Sequence, residues 1–78
     1  MTLAEACALA QEIEATPEWA VRSVGRVQGG PFAFDQQWGV ACVYVAAITT
    51  VRLVHSRRHW IRLRGRETPA LPSEKESV

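Results

Sequence analysis

Arginines close to the C-terminal end are the residues of this chain that are best suited to chemistry. Six of them fall within fifteen residues, and the indole of Trp60 lies inside the series. They are Arg52, Arg57, Arg58, Arg62, Arg64 and Arg66. Guanidinium groups bind phosphate oxygens through paired hydrogen bonds, and an exposed indole stacks on nucleic-acid bases.

Two functions fit these residues, and both would use the same surface. One is a nucleic-acid-binding module; the other is a protein interaction or assembly module, because Arg and Trp are also enriched in protein interfaces. Nucleic-acid-binding domains typically have a pI above about 9, whereas this chain has a net charge of +1 and a pI of about 7.9. The composition therefore favours the assembly module, expected to be a homo-oligomer or to bind another protein. For either function, the predicted binding residues are Arg58, Trp60, Arg62 and Arg64, with Arg22 and Arg26 as an extension.

Catalysis is not indicated by the pattern of reactive residues. Candidate nucleophiles and bases occur at scattered positions: Cys7, Cys42, Ser23 and Ser56 as nucleophiles, and His55 and His59 as bases. Nothing in their spacing places a nucleophile within hydrogen-bond reach of a base, which nucleophilic catalysis requires. Asp35 is the one acidic residue between Trp19 and Arg66, so paired carboxylates are also lacking. We therefore predict no enzyme, no catalytic residues and no small-molecule substrate.

Metal and disulfide chemistry are also weakly indicated. The spacing of His55 and His59 suits zinc on a helix, but it spans a predicted polar turn at residues 56–58. Two histidines and two distant cysteines match structural zinc spacings poorly. Cys7 and Cys42 each lie on a predicted apolar face, so we expect two small buried side chains. A reduced, cytoplasmic protein without metal or cofactor is predicted.

The N-terminal segment predicts an amphipathic helix over residues 2–15. Thr2 and Glu5 have the spacing of a capping box, in which each side chain bonds the other's backbone amide. The apolar residues fall on one broad side of the helical wheel: Leu3, Ala6, Cys7, Leu9, Ala10 and Ile13. Thr16-Pro17 then ends the helix, because a residue before proline is disfavoured in the helical region.

The long apolar run from Trp38 to His55 predicts the centre of a β-sheet. It is rich in β-branched residues, which favour strand over helix. Alternation gives two apolar faces, as in a strand covered on both sides. One face holds Trp38, Val40, Cys42 and Tyr44, and the other holds Ala41, Val43 and Val45. Because strands usually have about 3–10 residues, we expect a break near residues 46–49.

Alternating patterns on both sides of this run predict two further strands, at residues 19–27 and 58–64. In the later one, alternation predicts a buried face of His59, Ile61 and Leu63 and a solvated face of Arg58, Trp60, Arg62 and Arg64. Residues 28–31 predict a turn through their two glycines and proline. Phe32 and Phe34 fit either the start of a strand or a loop that covers the edge of the core.

The predicted architecture is α+β, with the N-terminal helix packed on a small antiparallel β-meander of three to four strands in the order α-β-β-β-β. Residues 1–65 form the predicted domain, and residues 66–78 form a disordered tail of mixed charge without periodicity. Residues 38–51 give 14 positions without a charge, fewer than the 20 or so that a membrane helix needs. Two apolar sheet faces with one helix to cover them indicate a partner subunit.

Overall fold

Two helices and three strands make up the part of the chain that the computed structural model describes, residues 1–28 and 34–67. They are α1 (Leu3–Glu14), β1 (Trp19–Arg26), β2 (Trp38–Tyr44), β3 (Val51–Val54) and α2 (Arg57–Glu67). Short 3-10 turns, Phe34–Gln36 and Val45–Ala47, flank β2. The predicted α+β class, N-terminal helix and antiparallel meander are confirmed, with three strands rather than four.

A capping box begins α1 where the sequence predicts it. The Thr2 hydroxyl accepts a hydrogen bond from the Glu5 amide at 3.1 Å, and the Glu5 carboxylate accepts one from the Thr2 amide at 2.9 Å. These hydrogen bonds with Thr2 hold the pKa of Glu5 below its ordinary value. Ala6, Leu9 and Ile13 recur at helical spacing and are the buried residues of α1. The helix therefore packs on the sheet along this narrow stripe.

The sheet is an antiparallel meander in the order β1-β2-β3. Val24 pairs with Val40, and Val40 pairs with Val54, so three valines line up across the sheet. A bulge between Val21 and Ser23 interrupts the register of β1. The break expected after β2 is present as the 3-10 turn that leads toward β3. The central apolar run thus forms two strands, as its length predicted.

Both helices pack on the same face of the sheet and share one core. The sheet supplies Trp19, Val40, Cys42 and Val54, α1 supplies its three buried residues, and α2 supplies Trp60 and Leu63. The rings of Trp19 and Trp60 meet edge to face, with centroids 4.9 Å apart and planes at 88°. An edge-to-face contact is a favoured arrangement of aromatic rings. The indole of α2 is therefore part of the core that joins both helices to the sheet.

The strand predicted at residues 58–64 is wrong, and so is the solvent exposure predicted for Trp60. The Ser56 hydroxyl accepts a hydrogen bond from the His59 amide at 3.0 Å and caps the start of α2. Helical spacing then buries Trp60 and Leu63, at 0% and 2% exposure, and leaves Ile61 53% exposed. The physical reason is size, because the helix buries the large indole that strand alternation would have left in water.

α2 continues past residue 65, where the sequence predicts the start of a tail, since Arg66 and Glu67 are helical. An acidic side chain at the C-terminus of a helix interacts unfavourably with the helix dipole, and here the Glu67 carboxylate is paired with the Arg52 guanidinium of β3.

Some predicted features lie outside the described residues. They are the tail from residue 68 onward, Phe32 and most of the turn at 28–31. Neither α1 nor α2 has the length and apolar character to cross a membrane.

Gly39 on β2 marks a place where the sheet has no room for a side chain. A Cβ atom there would lie 2.7 Å from Val27 Cγ2 and 3.0 Å from the carbonyl oxygen of Val54, whereas its cross-strand partner Gly25 has open space around it. We expect Gly39→Ala to lower the free energy of unfolding by about 1–3 kcal/mol through overpacking. The matched control Gly25→Ala should change it by less than about 1 kcal/mol. Equal shifts of the two variants in urea unfolding would contradict this assignment.

Candidate interaction surfaces

The side of the sheet that points away from both helices carries no charge at its aligned positions, and we call it the outer face. Strand pairing aligns the following residues on it: Ala20, Ser23 and Gly25 of β1, Gly39, Ala41 and Val43 of β2, and Val51 and Leu53 of β3. Most of the β1 and β2 residues on this face are small, and Val43 of β2 is buried at 1% exposure. The larger side chains of β3 form its raised border.

Large apolar side chains are exposed on and beside the outer face. Val51 is 54% exposed and Leu53 is 48% exposed, while Val45 and Ile48, in the connection before β3, are 53% and 57% exposed. Contiguous apolar patches on a protein surface commonly mark a site of interaction. The sequence correctly predicted two apolar faces for the sheet, but the helices cover only one of them.

The solvent-facing side of α2 carries a second candidate surface. Arg58, Arg62 and Arg66 recur every four residues and are exposed, so they lie in one row along the helix, which we call the arginine row. Two of the predicted binding residues, Arg58 and Arg62, are therefore brought together, but Trp60 points away from them into the core. Arg66 was missed because it was assigned to the tail. Its spacing of four from Arg62 was the signal that could have placed it.

The other predicted binding residues lie elsewhere on the molecule. Arg64 is exposed on α2, but a separation of two residues turns it to another side of the helix than Arg62 and Arg66. Arg22 and Arg26 are exposed on β1, where the Arg26 guanidinium lies 5.4 Å from the centre of the Trp38 ring. The predicted set therefore does not form one surface.

Two arginines outside the arginine row form ion pairs with carboxylates of the described segments. Arg57 on α2 pairs with Glu12 on α1 at 3.1 Å, and Arg52 pairs with Glu67. Like charges four residues apart destabilise a helix by about 0.2–0.5 kcal/mol per pair. Positive charge in the first turn also opposes the helix dipole. Arg66, in the last turn, does complement the helix dipole, so the stability of α2 gives no reason for Arg58 and Arg62 only.

His55 and His59 stack beside the start of α2, with ring centroids 4.5 Å apart and planes at 28°. The Nδ1 atom of His59 is buried and has no hydrogen-bond partner within residues 1–28 and 34–67. Burial lowers the pKa of His59 below its ordinary value of 6.5, and the neighbouring His55, Arg62 and Arg66 lower it further. The described parts of the chain hold no group of three or more His, Cys, Asp or Glu side chains that could bind a metal ion.

A loss of stability at acidic pH is expected from His59. Because its pKa is lower in the folded chain than in the unfolded chain, the unfolded chain binds a proton first as the pH falls. The free energy of unfolding should therefore decrease as the pH falls below 6.5 toward the folded pKa. Urea unfolding at about pH 7.5 and about pH 5.5 measures this decrease, and His59→Gln should make it smaller. An unchanged decrease in that variant would show that other groups cause it.

The two cysteines differ in their surroundings. Cys42 is buried in the core, as the sequence predicted, and its burial raises the pKa of the thiol to about 11. A thiol with such a pKa stays protonated at neutral pH, which makes it a poor nucleophile. Cys7 is exposed on α1, so the prediction that it is buried is wrong. The apolar stripe of α1 is narrower than the helical wheel suggested, because Ala6, Leu9 and Ile13 are buried and Ala10 is partly buried against the core, whereas Leu3 and Cys7 are exposed.

An open cleft of about 540 Å³ lies between α1 and the segment that leads into α2. Its lining includes apolar residues of α1, such as Leu9, and the polar side chains of His55 and Arg57. Glu12 also lines it, but this carboxylate is paired with the Arg57 guanidinium. Two charged groups of the cleft thus neutralise each other.

Comparison with known proteins yields no relative from which a function could be transferred. The chain matches no protein-family model, no curated protein and no solved structure. The outer face and the arginine row therefore have to be interpreted from their own geometry and chemistry.

Proposed function

We propose that this chain is a non-enzymatic assembly module that pairs with a second copy of itself through the outer face of its sheet. The observation that supports the proposal is the exposure of Val51 and Leu53 on a face whose aligned residues carry no charge. Both helices pack on the opposite face, and each Å² of apolar surface removed from water stabilises by about 25 cal/mol. Burial of Val51 and Leu53 in an interface would therefore contribute favourably to association.

A second copy suits the outer face better than a charged partner does. Charges buried in an interface are costly unless they are paired, and the aligned residues of this face offer none to pair with. In a two-fold dimer the same patch meets itself, so a patch without charge at its aligned positions avoids repulsion between like charges there. The exposed Arg22, in the bulge of β1 next to Ser23, borders this patch. Residues 68–78 are a poorer occupant, because they contain three charged residues and only Leu71 and Val78 as large apolar ones.

The small size of the core gives the chain a further reason to associate. Ten apolar residues are buried within the described segments. In a chain of at most about 70–80 residues, one core rarely supplies more than about 3–5 kcal/mol, and oligomerisation is a common source of additional stability. Pairing through the outer face would bury the exposed side chains of β3, Val51 and Leu53.

Leu53→Lys tests the proposal, with Ile61→Lys as the matched control. The two residues are similarly exposed, at 48% and 53%, but Ile61 lies on α2, away from the outer face. We expect the wild-type chain to sediment as a dimer at micromolar concentration. Leu53→Lys should raise the Kd of the dimer about 100-fold or more, because both copies carry the substitution and it therefore enters the two-fold interface twice. Ile61→Lys should dimerise like the wild type, and circular dichroism should show that both variants fold.

Two results would overturn the proposal. One is a wild-type chain that remains monomeric up to about 1 mM. This result would overturn the proposal even if residues 68–78 or a different protein covered the outer face. The other is a Leu53→Lys variant that folds and dimerises with the wild-type Kd, which would place the contact on another surface.

A further inference from the structure

We infer that the arginine row, formed by Arg58, Arg62 and Arg66, binds the phosphate backbone of nucleic-acid duplexes. This activity is separate from the proposed self-association. α2 packs on the face of the sheet opposite the outer face, so the row and the outer face point in different directions. A dimer formed through the outer face would leave the row of each copy exposed.

The spacing of the row suits a line of phosphates. With a rise of 1.5 Å per residue, successive members lie about 6 Å apart along the helix, and the row is about 12 Å long. One strand of a duplex carries a phosphate for about every 3.4 Å of its axis, so this length spans about three to four phosphates. Guanidinium groups match phosphate oxygens through paired hydrogen bonds. All three members are exposed and form no ion pair with a carboxylate of the described residues.

The position of Trp60 favours contact with the backbone over contact with bases. Proteins that bind single strands combine basic residues with exposed aromatic rings on which the bases stack. Trp60 is fully buried against Trp19 and is not available for stacking. The row itself presents guanidinium groups and no aromatic ring. We therefore expect binding to duplexes, without dependence on their sequence.

The packing of α2 also argues against a membrane surface as the partner. A helix that lies in a lipid interface inserts an apolar face between the head groups. The apolar side of α2, with Trp60 and Leu63, is already buried in the core. Ile61 is its one large apolar side chain exposed near the row. The helix is therefore suited to electrostatic contact with a polyanion and not to insertion.

Fluorescence anisotropy of labelled DNA and RNA duplexes of about 20 base pairs tests the inference. Three phosphate contacts predict a salt slope of about −2.7 in log K, which is a loss of about 40-fold in affinity between about 50 and 200 mM NaCl. Arg62→Gln should reduce the slope by about 0.9, so that the loss over the same range becomes about 12-fold. The matched control, Arg22→Gln, removes the same charge from an exposed position on β1 and should leave the slope unchanged.

Four outcomes would overturn the inference. They are absence of duplex binding at low salt, equal effects of Arg62→Gln and Arg22→Gln, tighter binding to phosphatidylserine vesicles than to duplexes, and a marked loss of helix signal in Arg62→Gln, which would make the row structural. Failure of self-association is a distinguishable result. A chain that sediments as a monomer but shows the salt slope, reduced by Arg62→Gln, would overturn the assembly proposal and support this one.

Discussion

Trp60→Ala is expected to lower the free energy of unfolding by about 3–5 kcal/mol, the cost of removing a large aromatic side chain from a core. The indole is 0% exposed, and its ring packs edge to face on Trp19. It also joins α2 to the core that α1 and the sheet share. Because one core in a chain this small rarely supplies more than about 3–5 kcal/mol, we expect the variant to be largely unfolded at 25 °C. Urea unfolding followed by far-ultraviolet circular dichroism measures the effect.

Trp60→Phe is the control for this prediction. The Nε1 atom of Trp60 has no hydrogen-bond partner within the described segments, so phenylalanine loses no hydrogen bond there and leaves a smaller cavity. We expect this variant to remain folded, with a smaller loss of stability than Trp60→Ala. A Trp60→Ala chain as stable as the wild type would mean that the indole lies in solvent, as the strand prediction had it.

Leu63→Ala and Ile61→Ala should differ strongly, although the two residues are close in sequence and in chemistry. Leu63 is 2% exposed and Ile61 is 53% exposed. Leu63→Ala should therefore lower the free energy of unfolding by about 2–5 kcal/mol, whereas Ile61→Ala should change it by at most about 0.5 kcal/mol. Thermal and urea unfolding of the two variants under identical conditions give the comparison.

This pair distinguishes helix from strand at residues 57–67 without a new structure. In the strand predicted from the sequence, Ile61 and Leu63 share the buried face, and both substitutions would be costly. In the helix, they lie about 200° apart around the axis, and only one is in the core. Comparable losses for the two variants would contradict the helix.

The elements with strong local signals were predictable from the sequence. The capping box of Thr2 and Glu5 and the helical spacing of Leu9 and Ile13 indicate α1, and both signals act within a few residues. The β-branched run indicates β2 and β3, and its length required the break between them. The apolar character of both sides of β2 was also visible. Such features depend on backbone preferences and on side-chain periodicity, which the sequence carries directly.

The surfaces were only partly predictable. The concentration of arginine was evident, and Arg58 and Arg62 were identified. Their grouping with Trp60 is wrong, however, and Arg66 is missing from the predicted set. The prediction uses the two-residue period of a strand, whereas this segment is a helix with a period of 3.6 residues. A sheet face without a helix on it was expected, since one predicted helix could not cover two apolar faces. The tertiary structure decides which face stays without a helix, because α2 packs on the same face of the sheet as α1.

Residues 58–64 show what the sequence by itself left open and the tertiary structure decided. Their local pattern fits a strand that buries Ile61 and Leu63 and equally a helix that buries Trp60 and Leu63, with a capping hydroxyl at Ser56 as the main local sign of the helix. The choice depends on Trp19 and α1, which are distant in sequence and together form the apolar site that the Trp60 indole fills. Local backbone preference gives only a small free-energy difference between the helix and the strand. Burial of the indole contributes more, and it favours the helix. The same packing turns the arginine row toward solvent.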